Sequence, residues 1–372
     1  MGDPGSSAVL TALLAASRPF RVRLREPVRG VTHREGLLIA GPHGVGEFAP
    51  FTDHPPAHQA RWLVAAISAA HVPWPAAPQP QVRANALIPA NNPGLAAEIV
   101  RTTGCSVVKV KIPRHPDAAF TATLTATTAA LAERPVPAAA QPALLRLDAN
   151  GQWTVAEAVS ALADVRRLLA ARSGGCAVEY VEQPCATLAE CIEVRHRAQI
   201  AVAVDESIRL GDSGVPDLGA GGRLPARSDE VDVIVCKPMV AGGIAATLDL
   251  ARQAQAIGVA VVVSGSLDTS VGLALVTRVA SLLPGRAAGI GTGALLAADL
   301  TDTPLLPVAG SVPSAIPPLS RDRLAAADPG PAAATAWTQR LTAAWWAGAD
   351  RATAAVHDQI RSQQQVPAPW ST

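Results

Sequence analysis

The stretch CSVVKVKI, residues 105–112, decides how the rest of the chain is read, because it is a β-branched apolar run broken by lysines at alternate positions. Alternate residues of a strand face opposite sides. Val108, Val110 and Ile112 therefore share one face and pack under a covering layer, while Lys109 and Lys111 share the other. Runs of the same kind recur outward from it, separated by Ala-rich helical stretches. They are NALIPA (85–90), ALLRLDAN (143–150), VEYVEQP (178–184), AVAVDES (201–207), VDVIVCKP (231–238), VAVVVSGS (259–266) and AAGIGTG (287–293). Eight β-units in about 210 residues is the pattern of a (β/α)8-type barrel. A doubly wound open sheet is the alternative, but no G-x-G-x-x-G opens a helix after the first run. The connection after AVAVDES, rich in Gly and Pro, is expected to lack a full helix.

Before the first run lies a smaller α+β unit. FRVRL (20–24) and EGLLIAGPHGVGEFAPF (35–51) read as strands, the second folded at GPHG, followed by a helix near 57–70 and a Pro-rich linker. GVGEF reads either as a structural hairpin or as a loop that closes over a site. After the barrel, residues from about 328 to 363 are amphipathic and helical, with a Trp and Leu stripe expected to pack on the protein.

Composition narrows the classes of function. Hydrophobic content of 49% with 16% charged residues excludes a disordered chain, and a formal net charge of +1 gives no general attraction to nucleic acid or an anionic membrane. No run reaches the roughly 18 apolar residues of a membrane helix. Cys105, Cys176, Cys185, Cys191 and Cys236 form no CxxC pair and read as reduced thiols of a cytoplasmic protein. The N-terminal apolar run has no basic region before it, so a secretory signal is not expected. The 31 basic residues are 28 Arg and only 3 Lys, at 109, 111 and 237. Where a composition replaces Lys by Arg so thoroughly, a surviving lysine marks a place where arginine would not serve.

The lysines fall where barrel chemistry happens, at the carboxyl ends of the strands. The second run carries Lys109 and Lys111 there, the third Asp148 and Asn150, the fourth Glu182, the fifth Asp205 and the sixth Lys237. Parity sends Glu179 and Glu206 away from the faces of Glu182 and Asp205, leaving one inward carboxylate per strand. Three carboxylates packed together would drive their pKa values up, so they need a cation. Oxygen ligands without His or Cys select a hard divalent ion, Mg²⁺ rather than zinc. The eight histidines all lie outside the strand ends; His115 follows KVK in a solvated loop. That leaves lysine as the base. Unlike arginine, it is brought toward neutrality by burial and by neighbouring positive charge. Asn150 reads as orienting Lys109 or a metal ligand, or as a turn residue. Ser264, Gly265 and Ser266 end the seventh run, and Gly291 lies among the glycines of the eighth; backbone N–H groups there could hold substrate carboxylates, or the glycines could serve turns.

KVK, then D-x-N, EQP, DES and KP on successive strands resemble the muconate-lactonizing subgroup of the enolase superfamily. Within it, RGVTHREG…GVGEFAPF, SGSLDTSVGLA and GIGTGALLAADL resemble the actinobacterial-type o-succinylbenzoate synthases. CKPMV and GVGE stand where IKP and GWGE are commoner, which leaves the shape of the substrate pocket open. The resemblance implies a modified TIM barrel, (β/α)7β, over residues 84–299, capped by an α+β domain of residues 1–83 completed by about 300–372. It implies that Asp148, Glu182 and Asp205 bind Mg²⁺. Lys111 would be the acid/base that takes the proton α to a carboxylate, and Lys237 the opposing lysine, a second acid/base or a cation over the intermediate. The implied reaction is syn dehydration of 2-succinyl-6-hydroxy-2,4-cyclohexadiene-1-carboxylate to 2-succinylbenzoate, in menaquinone biosynthesis. The same two lysines suit a racemase of N-acylamino acids or a dipeptide epimerase. More distant alternatives are a Schiff-base aldolase using Lys237 and a non-enzymatic barrel. The expected partner is a small-molecule carboxylate, with no nucleic acid or membrane; the oligomeric state is not written in the sequence, and a monomer suffices.

Overall fold

The computed structural model describes residues 4–28, 30–134, 143–171, 176–207, 230–362 and 370. Its centre is a ring of eight parallel strands: β4 (Gln81–Ile88), β5 (Val107–Lys111), β6 (Leu144–Asp148), β7 (Ala177–Glu182), β8 (Val202–Val204), β9 (Val233–Cys236), β10 (Ala260–Val263) and β11 (Ala288–Gly291). Each pairs with the next in sequence from β4 to β10, and β11 returns to β4. A parallel bridge between Ser264 and Gly289 closes the ring. Helices Pro93–Thr103, Ala118–Ala132, Val155–Ala170, Leu188–Ala198, Ile244–Ala256 and Ser270–Leu282 cover it. The connection expected to lack a helix, 208–229, lies outside the described residues.

Local chemistry starts these helices where the sequence supplies a cap. Thr154 with Glu157, and Thr187 with Glu190, form reciprocal capping boxes, and Asn92 and Asp117 accept from Leu95 and Phe120. Strand parity then fixes the two layers of packing. Val108, Val110 and Ile112 are buried under the helices, and Tyr180, Ala203, Val233, Val235 and Val262 form a separate cluster inside the ring.

Parity fails at one strand. Leu145 pairs with Val178 but Arg146 pairs with Tyr180, so Glu179 is the extra residue of a bulge. Glu179 does not simply face away from Glu182. Its carboxylate accepts from the fully buried Arg146 at 2.7 Å, at the floor of the barrel.

The smaller unit is a helix, Pro4–Ala15, a three-stranded antiparallel sheet of β1 (Ser17–Val28), β2 (Val31–Gly41) and β3 (Gly44–Phe48), and the helix Pro56–His71. GVGEF is β3, a structural strand. Only glycine fits at Gly46, where a Cβ would be driven into the backbone carbonyl of Ala66. The Glu47 carboxylate accepts from the backbone N–H groups of Thr269 and Gly272, at the start of the helix Ser270–Leu282. A carboxyl group there gives orphan donors an acceptor, and it ties cap to barrel.

The C-terminal stretch packs on this cap, as the stripe suggested. Trp337 meets Phe48 edge-on at 6.2 Å, and Leu341 and Trp345 are fully buried. It is not one continuous helix. Pro331–Ala344 passes into a wider turn at Trp345–Ala349, where Gly348 adopts φ 141°, and short helical pieces follow.

Candidate active site

Strands β5 to β9 deliver the ionisable residues to one end of the ring. Lys111 lies opposite Asp148 in the ladder, and Asp148 lies opposite Glu182. Asp148, Glu182 and Asp205 are each about 1% exposed. Three ammonium groups meet them. Lys109 Nζ donates to Glu182 at 2.9 and 3.1 Å and sits 3.2 Å from Asp148. Lys111 Nζ donates to Asp148 Oδ2 at 2.7 Å and to Asn150 Oδ1 at 2.8 Å. Lys237 Nζ bonds Asp205 Oδ2.

The two lysines of KVK have opposite electrostatics. Burial acts to lower Lys109, but Glu182 and Asp148 outweigh it and hold that ammonium above its ordinary range. Burial also lowers Lys111, and here Asp148 does not make up the difference while Lys109 adds to the lowering. Asp148 is buried too, yet Lys111 and Lys109 keep it well below the usual carboxylate range. Glu182 goes the other way, pushed up to about 7 by burial and by Asp148 beside it, against the pull of Lys109.

Asn150 serves Lys111 rather than Lys109. It adopts φ 51°, its backbone N–H donates to Asp148 Oδ1 at 3.2 Å, and its Nδ2 donates to Glu206 at 3.3 Å. Glu206 therefore reaches the site after all. Strand alternation stops applying to it because β8 ends at Val204.

A pocket opens above this cluster, lined by Lys109, Lys111, Asp148, Asn150 and Lys237 on one side and by Ser264, Gly265 and Ser266 on another. Glu182 and Asp205 do not line it; they bond the ammonium groups that do. Gly291 is not on the wall: a Cβ there would collide with the backbone of Asn85, so its role is close packing against β4. Of the eighth run, 289–293, which the sequence offered for substrate carboxylates, Gly289 and Thr292 line the pocket; sequence reasoning missed Val28 and Phe51 from the cap, and Asn85, Leu87 and Leu267 from the barrel. The apolar ones carry no chemical signature and reach the site only through tertiary packing. Leu267 had no sequence signal either, though its φ of 64° is strained for a leucine.

Among the described residues no three acidic, imidazole or thiol groups converge as a ready-made metal cage. The donor set nevertheless fits a hard cation. It is three buried carboxylates without nitrogen or sulfur, two of them already bracketing the Lys109 ammonium, which shows that the pair accommodates a cation between them.

A parallel barrel with this row of strand-end acids and lysines, under an antiparallel cap, defines the enolase class of proteins. The family described as enolase N-terminal domain-like matches residues 19–70, and that described as enolase C-terminal domain-like matches 94–317. The chain belongs to the enolase superfamily. It is 40% identical over 332 residues to an o-succinylbenzoate synthase of Thermobifida fusca, covering 88% of this chain and 95% of that one. It is 36% identical over 334 residues to an o-succinylbenzoate synthase of Mycolicibacterium smegmatis, covering 88% and 94%. The L-Ala-D/L-Glu epimerase of Bacillus subtilis shares the fold at a TM-score of 0.60 and 19% identity, over 82% of this chain and 96% of that one. So does the muconate cycloisomerase of Pseudomonas fluorescens, at 0.60 and 17%, over 85% and 98%.

Proposed function

We propose that this chain is an o-succinylbenzoate synthase that removes water from 2-succinyl-6-hydroxy-2,4-cyclohexadiene-1-carboxylate. The observation that carries the chemistry is one pocket lined by both Lys111 and Lys237, each bonded to a different buried carboxylate. The identity over nearly the full length of the synthases supports the choice of substrate. Asp148, Glu182 and Asp205 are the residues to hold Mg²⁺, which when bound offsets the charge that develops on the substrate carboxylate.

Lys111 is the proton carrier. Burial lowers its pKa from the ordinary lysine range, the direction a proton-accepting amine needs, and its bonds to Asp148 and Asn150 aim Nζ. It takes the proton α to the carboxylate and returns it to the departing hydroxyl on the same face, leaving as water. Lys237, held by Asp205, places a positive charge where the enediolate forms. Loss of water gives an aromatic ring, so the path is downhill once the proton is gone.

The opposed lysines also favour a second reading, racemisation or epimerisation of an N-acylated amino acid, in which Lys237 delivers a proton to the other face. One experiment separates them. Purified enzyme with Mg²⁺ is given each substrate, following product absorbance for dehydration and optical rotation for racemisation. Lys111→Arg keeps the charge and is expected to lose at least a thousandfold in kcat; substantial residual turnover would refute Lys111 as carrier. All five cysteines are free thiols, as in a reducing compartment, which supports the cytoplasm as the site of action; no helix among the described residues is long and apolar enough to cross a membrane.

A further inference from the structure

Gln183, the middle residue of EQP, joins all three acid-bearing strand ends. It is fully buried and adopts φ 39°, a backbone conformation uncommon for a non-glycine residue. Its backbone N–H donates to the Ala203 carbonyl at 2.8 Å, on the strand that leads to Asp205. Its carbonyl accepts from Gly151 N–H at 2.7 Å, in the loop that follows Asp148 and Asn150. Glu182 is its covalent neighbour.

The side chain completes the tie. Oε1 accepts from the backbone N–H of Asp205 at 2.9 Å, from the backbone N–H of Ser207 at 3.2 Å and from Ser207 Oγ at 3.1 Å. Nε2 donates to the Cys185 carbonyl at 2.8 Å, which fixes which end of the amide faces Asp205. A glutamate would set a second oxygen against that carbonyl, and an apolar residue would leave two buried backbone N–H groups without an acceptor.

We propose that Gln183 is a positioning residue for the metal site, holding the Asp205 backbone so that the three carboxylates meet the narrow geometry of a small divalent ion. The proposal rests on the metal-dependent reading above. Mg²⁺ demands near-ideal octahedral geometry, whereas Ca²⁺ accepts longer and more variable contacts. Loosening Asp205 should therefore cost Mg²⁺ more than Ca²⁺. A general loss of structure would cost both alike.

The test is titration calorimetry of the metal-stripped protein with Mg²⁺ alone and with Ca²⁺ alone, on wild type, Gln183→Leu and Ser207→Ala. Partners that orient ligands typically change metal affinity by about 10- to 100-fold. Gln183→Leu is expected to weaken Mg²⁺ by about tenfold or more and Ca²⁺ by clearly less. Ser207→Ala removes one of the three donors to Oε1 and is expected to shift Mg²⁺ in the same direction by about threefold. If Gln183→Leu does not fold, the Mg²⁺ to Ca²⁺ ratio of Ser207→Ala decides. Unchanged Mg²⁺ affinity, or equal losses for the two ions, overturns the proposal, as does a wild type that binds neither. A wild type that binds Mg²⁺ but does not dehydrate the substrate defeats the activity reading alone.

Discussion

Replacing Arg146 by methionine tests the barrel floor, directly beneath the site. Three contacts vanish: the pair with Glu179 at 2.7 Å and hydrogen bonds to Asn85 Oδ1 at 2.7 Å and the Ala287 carbonyl at 2.8 Å. Each orphaned buried acceptor costs about 1–3 kcal/mol. Glu179 keeps Arg286, which is 41% exposed, so its loss is the smaller part. The methionine recovers some contact with the Tyr180 ring, over which the guanidinium now lies at 4.9 Å. The balance is about 3 kcal/mol, at the low end of the cost of breaking a buried pair. Urea unfolding followed by circular dichroism measures it. Arg146→Met combined with Glu179→Gln should cost at least about 1 kcal/mol less than the two single changes added, because the second change removes the stranded charge. Acid gives an independent check. Burial acts to raise Glu179, but Arg146 and Arg286 outweigh it and hold it below the usual range. A depressed carboxyl contributes stability above its unfolded pKa, about 4.3, and that contribution fades as pH falls through the folded value. Arg146→Met should flatten this acid slope. A loss under about 1 kcal/mol, or strict additivity, would show that the floor network does not hold the barrel.

Other expectations concern the cap and the site. Glu47 is pushed up to about 8 by burial and by Asp268, so its contribution is full below about pH 4.5 and is lost as pH rises through 8. Glu47→Gln should make the fall in unfolding midpoint between pH 6 and 9 shallower than in wild type; parallel curves would remove Glu47 from the account. Gly46→Ala should destabilise by several kcal/mol, because sheet and helix must part to admit the methyl; a variant that melts with wild type would disprove the close approach. Chelation by EDTA should abolish turnover and Mg²⁺ restore it, while borohydride with substrate should leave activity intact. Trapping of Lys237 would favour imine chemistry instead.

Much of this architecture was legible because parallel strands buried on both faces read as short apolar runs, and because the helices between them start at Asn92, Asp117, Thr154 and Thr187. The site was legible for a related reason: charged side chains at the ends of apolar runs have no structural purpose there. What could not be read depends on neighbours. The bulge at Glu179 exists only relative to the β6 ladder, and a one-residue slip overturns any parity argument beyond it. Glu206 turned in because its strand stopped two residues earlier. Phe51 and Val28 enter the pocket by docking of the cap, and the part played by Gln183 is set by hydrogen bonds to Asp205 and Ser207, 22 and 24 residues further on.

The scarcity of lysine can now be argued from positions. All three lysines bond carboxylates of one cluster, Lys109 and Lys111 sharing Asp148 but differing in what else they meet. Lys109 faces two carboxylates and is held firmly charged, a fixed cation that lets acids crowd together. Lys111, two residues on, faces one carboxylate and a neutral amide, so burial wins and the proton is loosened. An arginine at 109 could keep the charge, but its wide planar fork would not fit between Asp148 and Glu182 as a compact ammonium does at 3.2 and 2.9 Å. At 111 an arginine would fill the place and never give up its proton. The same residue type is thus required twice in KVK for opposite reasons, once for compactness and once for a proton that can leave.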